Sequence, residues 1–513
     1  MKNAIGREIP GETKGQGKLR PFLGAFQGAP ETLPKPPPKK RSPPGGSKVF
    51  SSLGDLFGDL ELKSGATVSF HHHLRDGDAV ANMVLAAADK FGLRDLNVSL
   101  TGTFAVHAPM IELVKKGVVA SLRTSSLYGP VAGAVSRGVF PTPVLIHTHG
   151  GRPRAMKNGE LRVDAAFVAA PAADCRGNIV GHLGKSACGS LGYAWSDADH
   201  AGTVVAVTDN LVPFPLVPPS IPQNKVDRVV AVESLGDPRG IVSGTTRITK
   251  DPVALKIAAS AAEVISASGL LKEGFSFQTG AGGASLAAAR YVAQMMEKDK
   301  IRGGFALGGI TAHMVGMLER GLFQCLYDVQ SFDLESVRSL GRNQNHLEIG
   351  ADLYANPHSS GCLVDDLDAV ILGATEIDLD FNVNVVTGSD GVIMGAAGGH
   401  PDTAAGAKLT IVVANLLRSR QPIVVDRVIT ATTPGETVDV LVTERGVAVN
   451  PKNQELKERL VKARLEVKEI DELKSLAEKI AGAPEKIDRD GPVVALVEYR
   501  DGTIIDVVRG VSG

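Results

Sequence analysis

Cysteine is scarce, and the few thiols have no arrangement that would let them cooperate. Cys175, Cys188, Cys325 and Cys362 are scattered with no CxxC pair, which excludes a disulfide framework and a zinc ribbon. Charge of neither sign dominates. Lys+Arg 55 against Asp+Glu 56 leaves −1 at pH 7, so bulk electrostatics would draw the chain to neither nucleic acid nor a membrane surface. No run of ~18 apolar residues occurs, and the opening MKNAIGREIPGETKGQGK has no secretory hydrophobic stretch. Aromatics are few at 4%, although 43% apolar content still supports a sizeable core. The expected setting is the reducing cytoplasm, for a soluble chain without nucleic-acid or membrane partners.

Glycine, at 58 residues of 513, is what the sequence has in excess. That many glycines mark tight turns and places where backbone comes close to something. The length itself predicts two to four domains. Residues 1–48 are punctuated by Pro, Gly and Lys and end in PKPPPKKRSPPGGSK, which reads as an irregular arm. From Val49 onward, short apolar runs such as VSF, NVSLTG, PVLIHTH and TVVAVTDN alternate with alanine-rich stretches of helical spacing. Strand and helix in alternation predict a parallel sheet with crossover helices.

The chain also repeats itself. Val68-Ser69-Phe70 returns as Phe275-Ser276-Phe277, ELVKKGVVASL as MLERGLFQCL, and Val163-Asp164-Ala165-Ala166 as Leu367-Asp368-Ala369-Val370. TVVAVTDNL (203–211) returns as KLTIVVANL (408–416), and VDRVVAVES (226–234) as VDRVITATT (425–433). A colinear series of this kind predicts two copies of one α/β domain, 49–265 and 266–450. Residues 451–513 are set apart as amphipathic helices followed by a hairpin turning at Asp501-Gly502.

In parallel α/β sheets, ligands gather beyond the carboxyl ends of the strands. The first such loop is FHHHLRDGD, with His71, His72, His73 and Arg75 together. Clustered cations suit a polycarboxylate, because arginine grips carboxylate bidentately and histidine adds donors. A metal aided by His147 and His149 competes, but three adjacent histidines cannot all face one ion and no acidic second shell is evident. The bland alternative is that these histidines cap strand ends. The glycine loops QTGAGGAS, LGGIT and GSDGVIMGAAGGHPD lack the spacing of nucleotide loops and can instead present N–H groups to an oxyanion. No nucleophile elbow occurs, and Ser186 and Ser190 of GKSACGS read as turn residues.

The doubled domain with glycine loops resembles the CoA-transferases. The strings SFHHHLRDGD, HTHGGR, GKSACGSLGYA, FQTGAGGASLA, FALGGITA, DVQSFD, DLDFNVNVVTGSDGVIMGAAGGHPDTA and DVLVTERGVAVNP resemble the citrate lyase alpha chain, from residue 3 to about 480. The hairpin after about Pro484 finds no counterpart in that resemblance. The resemblance implies an α/β fold of two tandem CoA-transferase-like domains with mainly parallel sheets. It implies exchange of acetate for citrate on a thioester, carried by the phosphoribosyl-dephospho-CoA arm of an acyl carrier protein, or on acetyl-CoA. The chain itself would bind no cofactor and no metal. It would work in an oligomer with a beta subunit that cleaves the citryl thioester and a gamma subunit that is the acyl carrier protein.

Relatives that form a covalent intermediate use a glutamate in runs resembling HSEM or SENG. Here Gln324-Cys325-Leu326-Tyr327 and Gly388-Ser389-Asp390-Gly391 contain none. Direct attack by the citrate carboxylate, through a mixed anhydride, is therefore expected, although Asp390 or Asp328 is the alternative nucleophile of a related transferase or hydrolase. A non-catalytic subunit binding a sugar phosphate or CoA is the alternative of another class. The expected site comprises Gly282, Gly283, Gly398 and Gly399 as backbone donors. His71, His72, His73, Arg75, Lys185 and Ser186 would bind citrate, and Thr279, Gly280, Gly309 and Asp390 the thioester arm.

Overall fold

The structure is a computed structural model that describes residues 1–27, 48–242, 249–280, 282–484, 487 and 490–511. The KPPPKKR run lies outside the described residues. Two large sheets dominate, and their strands are the β-branched runs seen in the sequence.

The first sheet has ten strands. Its central order is Val144–Ile146, Val119–Thr124, Leu96–Leu100, Thr67–Phe70, Ala165–Ala169, Thr203–Thr208 and Arg228–Ala231, all parallel. The second sheet, of nine strands, runs His346–Glu348, Phe323–Ser331, Gly303–Ile310, Phe277–Thr279, Ala369–Gly373, Leu409–Val413 and Val440–Thr443 in the same relative order. Each half therefore repeats the other's topology strand by strand, and the mixed α/β fold is mainly parallel.

Polar anchors give the register of the repeat. Asp164 accepts the Thr67 N–H at 2.7 Å, and Asp368 accepts the Ser276 N–H at 2.9 Å. Asp227 accepts from Val204, and Asp439 from Thr410, each at 2.8 Å. The true counterpart of Val226-Asp227-Arg228 is therefore Val438-Asp439-Val440. The string VDRVITATT is not a copy of VDRVVAVES: Asp426 is exposed, and Arg427 donates to the carbonyls of Ile5 and Gly6. The first match also slips by two residues, because Thr67 corresponds to Ser276.

The boundaries move as well. Helix Pro252–Ser268 is capped by Asp251, which accepts from Val253 and Ala254, and ends at left-handed Gly269. Its buried face, including Ile257, Ala261 and Ile265, belongs to the core of the second half, whereas the sequence puts most of it in the first. Leu456 and Leu460 join that core too, so the helix Gln454–Lys462 is not separate. The strands Val493–Glu498 and Ile504–Arg509 extend the first sheet beside Val144–Ile146. The opening segment is ordered against that hairpin: Asn3 donates to the Ile504 and Ile505 carbonyls, and Arg7 lies 3.0 Å from Asp506. Among the described residues no helix is long and apolar enough to cross a membrane.

Candidate active site

Strand Thr67–Phe70 delivers His71, His72 and His73 into the junction of the two halves, all three buried. Thr101 fixes the middle one. Its hydroxyl accepts the His72 N–H at 3.0 Å and lies 2.6 Å from Nδ1. Gly102 leaves the room, since a Cβ there would stand 3.2 Å from the His72 ring. His71 turns the other way, with Nε2 3.4 Å from Asp197, a buried carboxylate held by two nitrogens of Arg152. His73 stacks on His71, and its ring nitrogens have no hydrogen-bond partner among the described residues. Burial drives these imidazoles neutral: His71 falls to about 4, and His72 and His73 fall well below their ordinary value.

Arg75 is the exception. Its guanidinium is buried between the rings of Phe104 and Phe332, 5.3 and 5.1 Å from their centroids. Nε and Nη1 have no hydrogen-bond partner among the described residues, and Asp76 acts on the guanidinium only through space. A buried cation without a hydrogen-bonded counter-charge is costly unless a ligand supplies one. Phe332 comes from the second half, where Gly309 makes space for it: a Cβ at Gly309 would lie 2.2 Å from that ring. Gly309 thus supports Arg75 by packing, which differs from the arm contact expected of it.

The second half closes the site through GAAGGHPD. The Gly398 carbonyl accepts the His149 N–H at 2.8 Å, and His149 stands 6.2 Å ring to ring from His72. The Tyr193 hydroxyl lies 2.7 Å from His149 Nδ1, and its ring stacks on His72 at 5.2 Å. From the far side, Gln278 donates to the Tyr354 hydroxyl at 2.9 Å, and Gln330 donates to the His72 carbonyl at 3.1 Å. The cationic loop and the glycine loop therefore share one junction.

With that geometry in view, the family model for the citrate lyase alpha subunit matches residues 46–511. The chain belongs to the citrate lyase alpha-subunit family. It is 49% identical over 491 residues to the citrate lyase alpha chain of Escherichia coli, covering 96% of this chain and 95% of the relative. A crystal structure from Streptococcus mutans, assigned as the alpha subunit of citrate lyase in complex with citrate, is 47% identical. It superposes with a TM-score of 0.96 and full coverage of both chains. The 4-hydroxybutyrate CoA-transferase of Porphyromonas gingivalis shares only the fold, at 16% identity and TM-score 0.54 over 84% of this chain and 96% of that one. The family match reaches the C-terminal hairpin, which the sequence strings had left without a counterpart.

Within this alpha-subunit framework the remaining expected residues divide. The Gly398 N–H donates to the Ser125 carbonyl at 3.1 Å and is therefore not free for an oxyanion, while the N–H of Gly280, expected beside the thioester arm, donates to Ile371 at 2.7 Å. Gly398 supplies its φ of +53° instead. Gly282 and Gly283 open helix Gly283–Asp299 without a side-chain cap, beyond Thr279 at the end of its strand. Lys185 is exposed and donates to the Glu233 carbonyl, while Ser186 donates to Asp209; none of these partners belongs to the His/Arg cluster. Asp390 shapes its turn by accepting the Val392 N–H and lines a separate cavity of about 650 Å³ with Arg418 and Met394. Asp328 is buried against His346 and Ser331. Among the described residues no group of three or more His, Cys, Asp and Glu is placed to hold a metal ion.

Gly399 lies against the phenol of Tyr354 and the imidazole of His149. A Cβ there would stand 2.6 Å from the Tyr354 hydroxyl and 3.4 Å from His149 Nδ1. Gly399→Ala should therefore lower turnover roughly 10²–10³-fold, the cost of one displaced oxyanion donor, with little change in the Michaelis constant for citrate. Steady-state kinetics check this beside a thermal melt. Loss of activity only in proportion to loss of folded protein would reduce Gly399 to a packing glycine.

Proposed function

We propose that this chain exchanges acetate for citrate on an acyl-carrier thioester, with citrate held at the junction of the two halves. The observation that carries the reading is the buried guanidinium of Arg75, two of whose nitrogens have no hydrogen-bond partner among the described residues. One citrate carboxylate neutralises it. Another attacks the acetyl carbonyl, whose oxyanion meets the Gly399 N–H. The C–O bond of a mixed anhydride forms as the C–S bond breaks, and the released thiolate then attacks the citryl carbonyl and expels acetate. No proton is gained or lost over the exchange, so no enzyme nucleophile or base is consumed. Asp328 and Asp390 each have structural partners, which supports the direct route. Exclusion of water protects the anhydride.

The citrate complex of the Streptococcus mutans relative supports citrate as the acceptor. The phosphoribosyl-dephospho-CoA arm of the carrier fits beside Gly388–Met394, where Arg418 offers its phosphates a cation. A gamma-type carrier protein and a beta-type lyase are the implied partners in an oligomeric complex. The test is to incubate the purified chain with acetyl-carrier protein or acetyl-CoA and follow acetate. Release that depends on citrate and yields a citryl thioester is expected. Acetate release without citrate would sink the transfer. Acyl label fixed to protein, and abolished by Asp390→Asn or Asp328→Asn, would replace the direct route by a covalent one.

A further inference from the structure

The C-terminal hairpin lies against the strand that carries the site histidine. Val493–Glu498 runs parallel to Val144–Ile146, pairing Ala495 with Val144 and Val497 with Ile146. The next residues of the inner strand are His147, Thr148 and His149. At the hairpin's turn the Arg500 side chain leaves its own sheet and enters the second half, where it is buried. Its Nη2 donates to the Ala355 carbonyl at 3.2 Å, next to Tyr354, and its Nε lies 3.6 Å from Asp402 Oδ1.

Asp402 is fully buried in the short helix that starts just after Gly399. Its two oxygens reach back into the first half: Oδ1 accepts the Thr148 hydroxyl and Oδ2 the Gly150 N–H, both at 2.9 Å. One carboxylate thus clasps the residues on either side of His149 to the helix that begins at Gly399. Gly150 fits so tightly that a Cβ would lie 2.0 Å from the Ala355 carbonyl. Burial pushes Asp402 up to about 6 even with Arg500 beside it. Tyr354, Tyr499, Cys362 and Asp365 crowd the same spot, and Arg500 is the cation among them.

We infer that Arg500 is a positioning residue of the transfer site: it keeps Asp402 in its ionised, doubly accepting form, and so fixes His149 and Gly399 relative to each other. A protonated Asp402 would offer a donor where both neighbours already donate. The inference rests on the transfer function proposed above. The test is Arg500→Met in the full-length protein, with turnover followed as a function of pH. Arg500→Met should lower turnover about 10–100-fold, the scale of a misplaced catalytic geometry, and leave the Michaelis constant for citrate within about 2-fold. Raising the pH should recover much of that turnover, because it removes the proton that Asp402 takes up once Arg500 is gone. Unchanged turnover in Arg500→Met overturns the inference. So does a loss that follows the thermal midpoint and is the same at every pH. If the unsubstituted chain shows no citrate-dependent acetate release, the functional reading itself has failed.

Discussion

Arg75→Ala should raise the Michaelis constant for citrate by roughly 30-fold or more, leaving that for the acyl donor unchanged. Truncating one partner of a buried, hydrogen-bonded charge pair typically costs ~2–5 kcal/mol. Arg75 is placed for such a pair, with two buried nitrogens and no protein acceptor. Arg75→Lys should recover only part of the affinity, because an ammonium keeps the charge but not the fork. Stability should move the other way. Removing an unpaired buried cation relieves desolvation, at the expense of its contacts with Phe104 and Phe332, so the thermal midpoint without citrate should hold or rise. Citrate should then stabilise the unsubstituted protein more than the variant. A Michaelis constant and turnover both within a factor of ~3, under ~1 kcal/mol, would leave Arg75 without a part in citrate binding.

Acid should unfold the protein well before ordinary carboxylates titrate. Burial lowers ten imidazoles, six of them strongly: His71 and His400 to about 4, His147 and His149 to about 3, and His72 and His73 well below their usual value, with His182, His200, His313 and His358 lowered less. In the unfolded chain each titrates near ~6.5. As pH falls through 6.5 the unfolded state takes up protons that the folded state refuses, so stability falls with pH. Glu348, pushed up to about 7, and Asp402, at about 6, act in the opposite sense, as does Glu498. Their folded forms bind protons first and gain stability on acidification, but they are fewer. The net loss between pH 6.5 and 5 should be of order 5 kcal/mol, taking ~1.4 kcal/mol per proton per pH unit. Denaturant midpoints across a pH series measure it. A midpoint that stays level or rises from pH 7 to 5 would show that the buried histidines acquire charge in the folded protein.

Much of the architecture is legible in the sequence because it is written locally. A strand or helix buries side chains at a fixed period, so apolar runs and alanine-rich stretches announce the alternation, and repeated alternation announces two copies. The FHHHLRD loop stands out for the same reason, as an unusual local density of cationic side chains at a strand end. Short strings mislead where the same letters serve different surroundings. Val226-Asp227-Arg228 leads into a sheet strand because Asp227 takes a neighbouring strand's N–H, while Asp426-Arg427 follows a buried strand end and meets solvent and the opening segment. Only the tertiary structure separates them.

What assembles the site lies further apart still. Tyr193 joins His149, Gln278 joins Tyr354, Phe332 covers Arg75, and Arg500 meets Asp402. No periodicity links these partners, since each contact depends on how one sheet packs against the other rather than on its own segment. The glycines show the limit most clearly. Gly398 and Gly399 are adjacent and chemically identical, yet the first spends its N–H on the Ser125 carbonyl while the second packs against Tyr354 and His149. The sequence determined that glycine loops and a cationic loop would follow the strands. Which N–H is spent inside the fold, and which cation is left without a hydrogen-bonded partner, was decided by the packing of the two halves, because hydrogen bonds are satisfied by whatever acceptor the fold brings near.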